Sequence, residues 1–168
     1  MRYHLRERAW ALTESFSVRD EANRPVLDVR GKFFHIGDNL MMYDHQSGQP
    51  LLQIKQRLLS LFPCYDLYRD GQHWGRVHEQ FKIFGEKFKV QGDNGMVFHI
   101  AGDLWNWDFQ ITDGNNNHLG YVGRRLSLFR DSYAVDVAPG IDAPFIIGLA
   151  LVIEMVREHH RKKEREHD

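Results

Sequence analysis

Residues 143–160, "APFIIGLALVIEMVREHH", constrain the fold more than any other stretch of this chain. Elsewhere the sequence is wet, with 27% charged residues and a mean hydropathy of -0.51. The uncharged part, Ala143 to Ile153, would rise about 16 Å as a helix, whereas a bilayer core is about 30 Å thick and asks for roughly 20 apolar residues. It is too short to span. Its ends carry ordinary helix signals: Asp142 can cap it, Pro144 suits the first turn, and "REHHRKK" puts cations where the macrodipole favours them. Phe145, Ile146, Ile147, Leu149, Leu151, Val152 and Ile153 surround the helix axis instead of marking one stripe, so protein must enclose this helix on every side. Burying those side chains contributes on the order of 10 to 20 kcal/mol gross, an upper bound because denatured chains are partly collapsed.

The enclosing material is β-structure. From Phe16 to Val137 short β-type runs alternate with explicit turn chemistry: "RDEANRP" at 19–25, "YDHQSGQP" at 43–50, "RDGQH" at 69–73, "GDNG" at 92–95 and "TDGNNNH" at 112–118. This predicts an antiparallel meander. Between turns the side chains divide onto two faces: Leu52, Ile54, Gln56 and Leu58 share one side of "LLQIKQRLL", opposite Gln53, Lys55 and Arg57. Trp107, Phe109 and Ile111 oppose Asp108 and Gln110 in the same way, the pattern of a sheet with one solvated face. An echo, "LSLF" at 59–62 and at 126–129, suggests two related sheet halves. Barrels of eight strands are filled by their own side chains, while those of about eleven leave room for a helix, so a closed barrel with the helix threaded through it fits best. The competing architecture lays the helix across one face of an open sandwich.

A length of 168 residues suits one domain, 1–168, able to bury about two thirds of its unfolded surface. Strands are expected over about 5–137, the central helix over about 142–160, and a charged tail over 161–168. The single cysteine, Cys64, rules out an intramolecular disulfide and agrees with a reducing compartment. With 22 Lys+Arg against 23 Asp+Glu there is no global field to draw the chain onto nucleic acid or lipid, so any such binding needs a local patch. "MRYHLRERAWALTESF" lacks the apolar h-region of a signal peptide. The expectation is a cytoplasmic protein, at most peripheral to a membrane.

Four segments together, "SFSVRDEANRPVLDVRGKFFHIGDNLMMYD", "IKQRLLSLFPCYDLY", "GDLWNWDFQITDG" and the closing apolar helix, resemble the LURP-one-related family in order and spacing, most closely its bacterial branch. That family lies within the tubby-like superfamily, which also includes phospholipid scramblases. The resemblance covers nearly the whole chain. It implies an all-β fold with one central helix: a closed antiparallel barrel of about twelve strands around a hydrophobic C-terminal α-helix. Tubby domains bind phosphoinositides through basic surface residues and scramblases act at membranes. The cysteine-rich segment and acidic calcium loop of scramblases have no counterpart here.

Candidate chemistry is sparse. His73, His78, His99 and His118 lie in predicted hairpins without HxH or HExxH spacing, which favours surface or turn histidines over zinc ligands, and no metal or cofactor is expected. Cys64 reads as a small buried hydrophobe, with nucleophilic use open only if a histidine approaches it in space. Asp20, Asp44, Asp70 and Asp113 sit at hairpin tips without DxDxDG spacing, as turn formers rather than calcium ligands. Trp105, Trp107 and Phe109 read as core. One binding hypothesis has physical content: Lys55 and Arg57 on one strand's wet face, with Arg124 and Arg125 in the echoing position, could hold an anionic headgroup if the halves are neighbours.

Three function classes follow. The favoured one is a non-enzymatic binding module that recognises an anionic phospholipid surface or a protein partner through its outer barrel face, with no nucleic acid and no transmembrane segment. The others are a structural or stress-related scaffold, and an enzyme whose site is assembled around Cys64 and a histidine.

Overall fold

The computed structural model describes residues 1–8, 14–32, 37–80, 86–103, 106–124 and 130–168. Six strands make the first half: β1 (Arg2–Arg6), β2 (Ser15–Asp20), β3 (Pro25–Lys32), β4 (Asn39–Asp44), β5 (Pro50–Gln56) and β6 (Cys64–Arg69). Six more follow: β7 (Gln72–Gln80), β8 (Glu86–Gly92), β9 (Val97–Asp103), β10 (Asp108–Asp113), β11 (His118–Gly123) and β12 (Ser132–Val137). Each pairs antiparallel with its neighbours in sequence, and β1 closes the ring by pairing with both β2 and β12. Closure leaves no free edge among the described strands to template association. The chain then enters one helix, α1 (Ala143–His167).

Even-numbered strands all run in one direction, so their ends share one mouth of the barrel, here called proximal. All five turn sequences recognised above lie there, together with the link from β12 into α1. Their chemistry is local. Asp20 accepts from the backbone N–H of Ala22 and Arg24, each at 2.9 Å, and Asp113 accepts from those of Asn115 and Asn117 at the same distance. Asp44 accepts from the Ser47 N–H at 2.7 Å, while Asp70 occupies the left-handed region at φ 50°. These aspartates build turns.

Asp142 caps α1, accepting from the Phe145 N–H at 3.3 Å, and the helix runs toward the opposite, distal mouth. Phe145 to Glu158 are buried without interruption, which is the encirclement the sequence requires. Strands from all round the ring touch it. Trp74 and Phe98 hold Phe145, with ring centroids 4.9 and 5.1 Å away. Leu52, Met42 and Ile54 crowd Gly148, Gly120 faces Ile146, and Tyr133 reaches Glu154.

Three particulars differ from the sequence reading. The helix continues to His167, through the stretch expected as a tail, and its buried part includes Glu154, Arg157 and Glu158. These ionisable groups are tolerated because each finds a partner within the distal end. Glu154 accepts from the Tyr133 hydroxyl at 2.7 Å and from the Arg8 N–H at 2.8 Å. Arg157 stacks over Trp107 at 4.1 Å and pairs with Glu7 at 3.3 Å, while Glu158 lies 3.8 Å from Arg8. Second, strand structure begins at Arg2, because β1 is needed to close the ring. Third, Leu58 does not share the dry face of Leu52 and Ile54: β5 stops at Gln56 and Leu58 turns away from the ladder into solvent. Trp107 and Phe109 are core as expected, with Trp107 stacked on Tyr133 at 4.1 Å; Trp105 and the second echo segment, Leu126 to Phe129, lie outside the described residues.

Candidate functional site

Alternation along β5 to β9 sends two rows of polar side chains to the outside of the barrel. Register fixes both. One row is Lys55, Asp66, Arg76 and Gln91; the next is Cys64, His78, Lys89 and His99. Arg57, just beyond β5, extends the pattern toward the distal mouth. Its guanidinium stands 3.5 Å from Asp66, whose other oxygen takes Arg76 at 3.0 Å and His73 at 2.9 Å. The second ring nitrogen of His73 meets Asp93 at 2.6 Å. An imidazole that meets a carboxylate at each nitrogen must donate from both, so hydrogen bonds to Asp66 and then Asp93 raise the His73 pKa. Burial works against the Asp66 carboxylate, but hydrogen bonds from His73 and Arg76, helped by the Arg76 and Arg57 charges, hold its pKa low.

Four cations, Lys55, Arg57, Arg76 and Lys89, thus lie on one face with two carboxylates, of which Asp66 pairs with Arg57, Arg76 and His73 and Asp93 with His73. Lys55 also lies over the Tyr68 ring at 5.2 Å. Burial, and after it the charges of Lys89 and Arg76, push the His78 pKa down. Cys64 sits within this face opposite His78, the one histidine near it by register, yet burial raises its thiol pKa, the reverse of what an activated nucleophile needs.

Arg124 belongs to another neighbourhood. It follows β11 directly, and five strands separate β5 from β11 whichever way round the ring one counts. There it pairs with Glu7 at 2.7 Å, beside Arg157 and Arg161, as part of the distal ionic cluster. Arg125 lies outside the described residues. Strands β5 and β11 are therefore opposite rather than adjacent, and the structure keeps Lys55 with Arg57 but sets Arg124 apart from them. The partners it supplies instead are Arg76 and Lys89, which alternate with apolar residues in "QHWGRVHEQ" and "EKFKV", a local signal for an outward position. Only cross-strand register reveals that Arg76 stands beside Asp66 and that Lys89 lies in the next row, opposite His78.

Among the described residues no group of three His, Cys, Asp or Glu side chains converges as a metal site. His118 lies 3.3 Å from the Gln110 amide across β10 and β11.

At the distal mouth the link between β5 and β6, "RLLSLFP", exposes Leu58, Leu59, Leu61 and Phe62 to 56, 106, 94 and 48%. Between this loop and the end of α1 runs a cleft of about 460 Å³, whose helical wall carries His159, Lys162, Lys163 and Glu166.

The architecture is that of a closed twelve-stranded barrel filled by its own C-terminal helix. The chain belongs to the LURP-one-related family, whose model matches residues 1–154. A relative from Bacillus subtilis (strain 168), named "Uncharacterized protein YxjI", is 32% identical over 152 residues, covering 90% of this chain and 91% of its own length. No solved structure matches the chain. Among the described residues no helix is long and apolar enough to cross a membrane.

Proposed function

We propose that this protein is a non-enzymatic binding module that recognises anionic phospholipid headgroups at a membrane surface through the outer face of β5 to β8. The supporting observation is the cation cluster of Lys55, Arg57, Arg76 and Lys89, brought into two adjacent rows by register on a chain whose formal net charge is only -1. A local excess of this kind attracts phosphate where the whole molecule would not, and arginines can grip phosphate oxygens in pairs. The lumen is already occupied by α1, so recognition falls to the outside of the barrel.

Flotation with vesicles tests the reading. Binding should require anionic lipid, weaken as salt rises, and fall roughly tenfold or more in the Lys55→Ala, Arg57→Ala double variant, since each cation near such a surface contributes on the order of a kcal/mol. Equal recovery with neutral and anionic vesicles, or no loss in the double variant, would count against it.

A further inference from the structure

The loop between β5 and β6 exposes apolar side chains without visible structural return. Leu59 is fully solvent-exposed and also holds φ 63°, a left-handed conformation that suits glycine or asparagine and is costly for a leucine. Leu61 is nearly as exposed, and Leu58 and Phe62 stand about half out. Scattered apolar surface residues need no explanation, but four within five positions on one projecting loop mark an interaction surface. Cations adjoin them: Arg57 opens the loop, and Lys162 and Lys163 face it across the cleft from the last turns of α1.

Resting on the lipid-surface reading above, we infer that this loop is the part of the molecule that enters the bilayer. Leu59 and Leu61 lead, sinking into the boundary between headgroups and acyl chains, while Arg57, Lys162 and Lys163 meet phosphates at the level above. Apolar anchors with a basic collar match an anionic bilayer, which offers hydrocarbon and negative charge at successive depths. A second copy of this chain fits poorly, because a two-fold contact through the same patch would bring the cations of one collar against those of the other. The placement also orients the barrel. Its distal mouth faces the membrane, and the basic rows of β5 to β8, which share Arg57 with the collar, descend the side toward it.

Two measurements on the full-length protein decide the matter. In flotation with phosphatidylcholine vesicles, with and without phosphatidylglycerol, Leu59→Asp combined with Leu61→Asp should reduce binding roughly tenfold or more, because the leucine burial is lost and charge is added. Its circular dichroism and thermal midpoint should match the wild type, since neither side chain is packed. In the Leu59→Trp variant, lipids brominated on the acyl chain should quench fluorescence beyond that of the wild type. Unchanged binding of the double aspartate variant, or no added quenching in a bound Leu59→Trp protein, overturns insertion while leaving headgroup recognition standing. Binding to neutral vesicles as strong as to anionic ones, yet abolished by the aspartates, supports insertion and removes headgroup recognition. Absence of all vesicle binding overturns both. Dimerisation in sedimentation that the aspartates abolish, without vesicle binding, assigns the loop to a second copy instead and overturns the inference.

Discussion

At Leu59 two local costs coincide, a left-handed backbone and an unburied aliphatic side chain. Leu59→Gly removes both and loosens the unfolded chain, so the net change should be stabilising or neutral, by up to about 1 kcal/mol. A thermal midpoint that drops by several degrees would show that the leucine packs on something. Glu154 presents the opposite case, a carboxyl inside the barrel whose pKa burial pushes up to about 8, despite hydrogen bonds from Arg8 and Tyr133. Between about 4.5, the ordinary value, and about 8 the folded protein holds a proton there that the unfolded chain has released. Unfolding free energy from this group therefore falls as pH rises through that window, by at most about 1.4 kcal/mol per pH unit. Glu154→Gln mimics the protonated acid: its oxygen can accept from the Arg8 N–H and its amide can donate to the Tyr133 oxygen. Urea unfolding at pH 5.5 and pH 8 should show the variant gaining on the wild type by on the order of 2 kcal/mol. Parallel pH profiles would mean that Glu154 stays ionised in the fold.

At the scale of elements, α1 and the strands depend on close fit. A Cβ at Gly148 would press on the Leu52 side chain and come within 3.5 Å of the Met42 sulfur. Gly148→Val should cost about 1 to 3 kcal/mol, whereas at an open helix position it would gain a few tenths. Denaturant midpoints of the two proteins read the sign directly. The helix was legible because its apolar residues cover every side and Asp142 caps it. The five proximal turns were legible because Asp, Asn and Gly act on their own backbone within a few residues. The far end of α1 was not. Glu154, Arg157 and Glu158 fall within the expected helix, but their burial depends on Glu7, Arg8, Trp107 and Tyr133, contributed from distant parts of the chain. Leu58 was misplaced for a similar reason, since alternation cannot announce where β5 leaves the ladder.

For the whole molecule, the ring order decides which surface residues are neighbours. Lys55 and Arg57 could be paired by alternation alone, but joining them to Arg124 required the two halves to be neighbours, and β5 and β11 stand on opposite sides of the barrel. Register, which no local pattern encodes, brings Arg76 and Lys89 to the same face and leaves Arg124 with Glu7. Both the basic face and the loop beside it presuppose that α1 is sheathed by its own strands and that the protein meets lipid only from outside. Hydrogen exchange in detergent-free buffer tests this most directly. Amides of Ile146 to Val156 should exchange as slowly as those of the central strands and in the same cooperative opening, because the helix cannot be exposed without breaking the barrel. Helix amides that exchange well before the strands, or a full-length protein that needs detergent to stay dispersed, would contradict it.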